Sequence, residues 1–154
     1  MTQTKVGVIG AGRIGRMHTE NLDTQIHEAD VRAVASPHLD EDWAAALGIP
    51  CRSTDNGMVF EDPEIEAVVI TAPSGLHSEL ICHAAEAGKH IFCEKPVGFN
   101  EEPIEKAITA AESAGVHLQL GYNRRFDPDV CRLAEAVRDG DVGELHGLRV
   151  VNRD

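Results

Sequence analysis

"KVGVIGAGRIGRMHTENL", Lys5 to Leu22, changes period partway along. Lys5 to Gly10 is a short β-branched run ended by glycine and reads as a strand, while Ile14, Met17 and Leu22 recur at helical spacing. Between them "GAGRIG", Gly10 to Gly15, matches G-x-G-x-x-G in the required context, directly after a strand and opening a helix. In that motif Gly10 makes the tight turn, Gly12 lets the backbone approach a pyrophosphate, and Gly15 lets helix pack on strand. Arg13 and Ile14 occupy the variable positions at the helix start. Phosphates would rest against the first N–H groups of the helix, where the dipole favours negative charge. The same glycines also suit a purely structural turn, or another nucleotide-derived ligand such as a methyltransferase takes.

Working outward, strands and helices alternate. Val31 to Ser36 reads as the next strand, and Asp40 as the N-cap of a helix through Ala46 that Gly48 and Pro50 stop. Glu66 to Thr71 is a continuous apolar run of the kind a parallel strand buried on both faces requires. In "GLHSELICHAAEAGKH" Leu76, Leu80, Ile81 and Ala84 share one helical face, and Gly88 ends the helix. His90 to Glu94 is another strand, Glu101 to Gly115 another helix, and Val116 to Gly121 a further strand. Parallel neighbours need crossover connections, so this order predicts an α/β fold with a Rossmann-type doubly wound parallel sheet over residues 1–121. An amphipathic helix within Asp127 to Glu144 and a final strand, Leu145 to Val151, then read as the start of a second α/β domain over residues 122–154.

Composition excludes several function classes. The formal net charge of -12 repels phosphate backbones and anionic membranes, so neither nucleic acid nor membrane is an expected partner. Hydrophobic residues at 42% allow a real core, and no apolar run approaches the ~20 residues that cross a bilayer. The N-terminus lacks signal-peptide features, which predicts a soluble cytoplasmic protein. Cys51, Cys82, Cys93 and Cys131 form no C-x-x-C pair and read as reduced, buried or half-buried thiols. The eight histidines show no metal-binding spacing, and no metal is expected. Trp43 reads as core, and His18 as a packing residue of the first helix.

Two stretches carry chemistry beyond the glycines. The dinucleotide fingerprint places an acidic residue about 20 positions on, to hold the adenosine ribose hydroxyls. In "VRAVASPHLD", Val31 to Asp40, Ser36 stands there instead. A ribose 2'-phosphate is then no longer repelled, and Ser36 with His38 offers it hydrogen bonds, so NADP is admissible beside NAD; alternatively Ser36 and Pro37 only form the turn. "IFCEKPVGFN", Ile91 to Asn100, sets Glu94 and Lys95 behind an apolar run and before Pro96. Charges are costly to bury, so this pair sits where a strand meets water or a ligand, as surface ion pair or as site.

"VGVIGAGRIGRMHTENL", "VVITAPSGLHSELICHAAEAGKHIFCEKPVGF" and "GYNRRFDP" together resemble the Gfo/Idh/MocA oxidoreductases, most closely their inositol 2-dehydrogenase branch. The resemblance spans nearly the whole chain. It implies hydride transfer between a polyol or sugar carbon and NAD or NADP, with the family's homo-oligomeric association at full length. It further implies that Lys95 lies beside the nicotinamide and orients the substrate hydroxyl. Glu94 would pair with Lys95 or contact the nicotinamide ribose, and Thr71, Ala72, Pro73 and His77 would line the cofactor. Asn123 would face the nicotinamide and Arg124 the substrate, whereas Arg125 reads as a salt-bridge residue at the domain junction. Members of the family are about twice as long, and their general base is the histidine of a D-x-x-x-H motif in the second domain, which residues 122–154 lack. The chain is therefore expected to be inactive alone, as the cofactor-binding half of a dehydrogenase or as a stand-alone dinucleotide-binding module.

Overall fold

The computed structural model describes residues 2–151. One sheet of six parallel strands is formed by β1 (Thr4–Ile9), β2 (Ala29–Ala35), β3 (Cys51–Ser53), β4 (Ala67–Ile70), β5 (His90–Cys93) and β6 (Leu118–Leu120). Their order is β3-β2-β1-β4-β5-β6. The chain winds outward from β1 to β3, then crosses to β4 on the other side of β1 and winds the opposite way. That reversal falls between β1 and β4, and beyond the carboxyl ends of strands at such a point is where doubly wound sheets take ligands.

Five helices cover this sheet: α1 (Arg13–Gln25), α2 (Glu41–Ala46), α3 (Gly57–Glu61), α4 (His77–Glu86) and α5 (Glu101–Ala114). Alternation along each strand divides the apolar residues between two cores. Val8, Val34 and Val69 pack with Ala44, Ile49, Leu22 and Leu47 on the α1–α2 side. Ile9, Val68, Ile70 and Ile91 pack with Ile81, Ala84 and Ala107 beneath α4 and α5. Full burial of an isoleucine such as Ile70 contributes about 1.5–3 kcal/mol, which is why β4 is apolar at successive positions. Gly7 admits α3, since a Cβ there would collide with Val59 and lie 3.1 Å from Ile65.

The pairing of β1 with β2 shifts register between Val6↔Val31 and Gly7↔Ala33, leaving Arg32 as an extra residue. The bulge lets Val31 face one core and Ala33 the other. Gly88 and Gly115 end α4 and α5 in the left-handed region, at φ 70° and 67°, where other residues are strained.

Several elements depart from the sequence reading. β3 and α3 carry no usable periodicity: β3 is three residues, CRS, and α3 five. Met17 and Leu76, expected inward, are both 44% exposed. On α1 the close approach to the sheet is made by small residues, Gly15 and Thr19, which leaves Met17 outside. Trp43 is half-buried at the rim of the smaller core, its indole N–H donating to Glu20 at 2.9 Å.

The chain divides into two compact units, Met1–Gly121 and Tyr122–Asp154. The second holds a 3-10 turn, Asn123–Phe126, and α6 (Pro128–Arg138). Asp127 caps α6 by accepting from the N–H groups of Asp129 and Val130 at 3.0 and 3.2 Å. The strand expected over Leu145 to Val151 is not formed; these residues pair with no strand, and Leu145, Leu148, Val150 and Val151 are exposed. A strand needs a neighbour for its N–H and C=O groups, and the described residues of this unit supply none. Asn152 to Asp154, the end of the expected second domain, lie outside the described residues.

Candidate functional site

The glycine turn is built from both flanking strands. Gly10 has φ +99°, and a Cβ on it would lie 2.6 Å from the Ala72 nitrogen. A Cβ on Gly15 would overlap the Gly10 carbonyl and approach the Thr71 hydroxyl to 2.6 Å. Thr71 is the prop: its N–H donates to Ile9 O at 2.8 Å, and its hydroxyl lies 2.7 Å from Gly10 O and 3.1 Å from Ile9 O. Thr71 thus shapes the turn from beneath.

Gly12 differs in kind. Its backbone, φ -71° and ψ -173°, suits any residue, and a Cβ there would meet nothing within 4 Å. No contact within the described residues requires glycine at this position. Gly12 is the N-cap of α1, with no side-chain cap and no acidic residue in the first turn, so the helix presents its first N–H groups uncovered. A pyrophosphate fits this surface in charge and in space.

At the end of β2, Ser36 and Leu39 do form a turn: Ser36 N–H donates to Ser53 O at 3.0 Å, and Leu39 N–H to Ser36 O at 3.1 Å. The Ser36 side chain is 8% exposed, and its hydroxyl makes no hydrogen bond among the described residues. Asp40 accepts from Trp43 N–H and from the Arg16 guanidinium, both at 3.1 Å, which holds its carboxyl below the ordinary 3.8. Arg16 also lies over the Trp43 ring, 4.8 Å from its centroid.

The loops after β4 and β5 are pinned by the start of α4. His77 is 1% exposed; its Nδ1 lies 2.6 Å from Pro96 O and its Nε2 2.7 Å from Ala72 O. Both ring nitrogens face backbone carbonyls, so the buried His77 ring braces the loops after β4 and β5 against each other. Ser78 Oγ donates to Val97 O at 2.8 Å. Pro73 caps the 3-10 turn Ser74–Leu76 that leads into α4.

Glu94 does not pair with Lys95 as an ion pair. Its Oε1 lies 2.9 Å from His18 Nε2, and its Oε2 accepts from the Lys95 backbone N–H at 3.2 Å. His18 also stands edge-on to Phe92, with ring centroids 5.3 Å apart. His18 is thus more than a packing residue, a role hidden in sequence because its partner is 76 positions away. The Lys95 side chain is exposed and makes no ion pair or hydrogen bond among the described residues; the Lys95–Pro96 bond is cis.

Asn123 and Arg124 lie on the 3-10 turn of the second unit. Arg125 makes no ion pair with any described residue, so its expected salt bridge is absent there. No group of three His, Cys, Asp or Glu among the described residues is arranged to hold a metal. The thiols are free, with Cys82 and Cys93 buried and Cys51 and Cys131 half-buried; burial pushes Cys93 up to about 12. No described helix is long and apolar enough to cross a membrane.

A family model described as an oxidoreductase family with an NAD-binding Rossmann fold matches residues 4–122. The chain belongs to this family. It is 39% identical to myo-inositol 2-dehydrogenase of Thermotoga maritima over 97% of this chain and 45% of that protein. With the scyllo-inositol 2-dehydrogenase (NAD(+)) of Bacillus subtilis it shares 40% over 93% of this chain and 42% of the relative. The crystal structure of scyllo-inositol dehydrogenase from Lactobacillus casei with bound NAD(H) and scyllo-inositol superposes with a TM-score of 0.87. That match has 36% identity and covers 93% of this chain and 43% of the other. The chain thus spans less than half the length of these relatives, and within the family it carries the nucleotide-binding fold.

Proposed function

We propose that this chain supplies the nicotinamide-binding half of an oxidoreductase acting on a polyol or sugar hydroxyl of the inositol kind. The observation that carries this is the state of Lys95. It is an exposed lysine without a partner among the described residues, on the loop after β5, which lies two strands from β1 in the sheet. Its neighbouring carboxylate is already engaged by His18. With the pyrophosphate at Gly12 and the adenosine ribose toward β2, the nicotinamide falls on the β4–β5 side, where Lys95 stands.

The bound nicotinamide supplies a hydride acceptor or donor. Lys95 directs its ammonium at the substrate hydroxyl and stabilises the negative charge that grows on that oxygen as its proton passes to a general base, which the family resemblance puts in the second domain. Glu94, fixed by His18 and by the Lys95 N–H, holds the strand end in place and presents its carboxylate near the nicotinamide ribose. Ala72 and Pro73 line the wall. Residues 122–154 begin the substrate domain in this reading, in which Asn123 serves the nicotinamide and Arg124 the substrate.

Nucleotide binding is tested on this chain by calorimetric titration with NADH and NADPH. The reaction is tested in a polypeptide that continues this chain to the length of its relatives, assayed with myo- and scyllo-inositol. Lys95→Ala is expected to lower kcat by about 100-fold or more while leaving cofactor affinity nearly unchanged. Unaltered kcat in that variant would remove Lys95 from the reaction.

A further inference from the structure

The β2 side of the candidate site departs from what an NAD site uses. Such a site holds the two ribose hydroxyls with a carboxylate at the end of β2. Here that position is Ser36, whose hydroxyl is unengaged, and the only carboxylate in the stretch Ser36 to Asp40 is turned away. Asp40 caps α2 and holds Arg16. That engagement shows which face of α1 is turned to the β2–α2 loop. Arg13 lies three residues before Arg16, on the same helical face and one turn nearer the helix start. Its guanidinium is exposed and makes no ion pair or hydrogen bond among the described residues.

We propose that Arg13, Ser36 and His38 form a subsite for a phosphate on the adenosine 2' oxygen, so that the chain selects NADP over NAD. This rests on the dinucleotide reading above. A guanidinium is suited to a phosphate because its N–H groups match two oxygens at once, and the Ser36 hydroxyl adds a donor where a carboxylate would repel. The exposed His38 ring closes the open side. At a net charge of -12 the protein has no general attraction for anions, so the selection is local to these three residues.

Calorimetry with NADPH, NADH, adenosine 2',5'-bisphosphate and 5'-AMP tests this on the chain itself. NADPH is expected to bind at least about tenfold more tightly than NADH, and the bisphosphate more tightly than AMP, with a steeper loss as salt rises. Arg13→Ala, at an exposed position, should weaken NADPH about tenfold and change NADH less than about threefold. Ser36→Asp should reverse the preference. NADH binding as tightly as NADPH, or an Arg13→Ala loss equal for both nucleotides, overturns the proposal and leaves the dinucleotide reading standing. The second outcome would place Arg13 at the pyrophosphate. Binding of neither nucleotide to a sample with a cooperative melting transition overturns both.

Discussion

The two edges of the sheet carry the same kinds of charge and treat them in opposite ways. At the amino edge Lys89, only 6% exposed, donates to the carbonyls of Asp62 and Ile65 at 2.7 and 2.8 Å. Arg32, the bulge residue, reaches Asp62 at 2.7 Å and Glu64 at 2.5 Å, and Lys5 reaches Glu64 at 2.9 Å. Three cations thereby clamp the short connection between α3 and β4. At the carboxyl edge Lys95 and Arg13 have no such partners among the described residues. Residue type does not separate the cations held by the fold from those left unpaired here; the presence of a partner within reach does.

The largest test sets two glycines against each other. Gly15→Val should cost more than about 3 kcal/mol, because its side chain would occupy the space of the Gly10 carbonyl. Gly12→Val should melt close to the unsubstituted chain and bind neither nucleotide. Equal melting of the two would break the distinction between internal and external need for glycine. Next in size is Lys89→Met, expected to lower unfolding free energy by about 2–3 kcal/mol in a urea titration, since one buried and one partly buried carbonyl lose a charged donor. Lys95→Met should leave the urea midpoint where it was; a matching loss would mean that Lys95 is structural too.

A smaller effect follows from acid. The Glu64 N–H and then Arg32 hold Asp62 below its ordinary 3.8, and a hydrogen bond from Lys5 holds Glu64 below 4.5. With both folded values depressed, the unfolded chain binds more protons, so this stabilisation is complete above the ordinary values and is lost as pH falls through the depressed ones. The melting temperature should drop as pH falls from about 5 toward 2, and Asp62→Asn should flatten the part of that fall due to Asp62. A parallel fall in the variant would assign the acid sensitivity elsewhere. Smallest of all is His18→Phe, which keeps the stacking on Phe92 and frees Glu94. Stability should move by less than about 0.5 kcal/mol, and a larger loss would show that the Glu94 tie supports the fold as well as the loop.

Periodicity made most of the sheet legible in the sequence, because buried parallel strands and crossover helices each write a pattern several residues long. What failed was short or partnerless: Cys51–Ser53 is three residues at the sheet edge, and Leu145 to Val151 has strand composition but no neighbour. In the site, Gly10, Gly12 and Gly15 were readable because their spacing is a local pattern between a strand and a helix, although only Gly10 is set by its own backbone, at φ 99°. His77 and Lys89 were not, since a histidine or lysine beside an element usually reaches solvent, and only tertiary structure shows the carbonyls that receive these two. The His18 tie to Glu94 was invisible for the same reason.

The single imidazole ring that spans Ala72 O and Pro96 O makes the loops after β4 and β5 one exchangeable unit. A chimera whose crossover falls within α4, after His77, would join one parent's brace to the other parent's proline loop. The position of Lys95 would then depend on how well two unrelated backbones met across one ring. Recombination before β4 or after Gly98 would carry brace and lysine together. Substitutions in Ala72 to Pro73 and in Lys95 to Pro96 should therefore combine non-additively, although neither stretch is adjacent to the other in the chain.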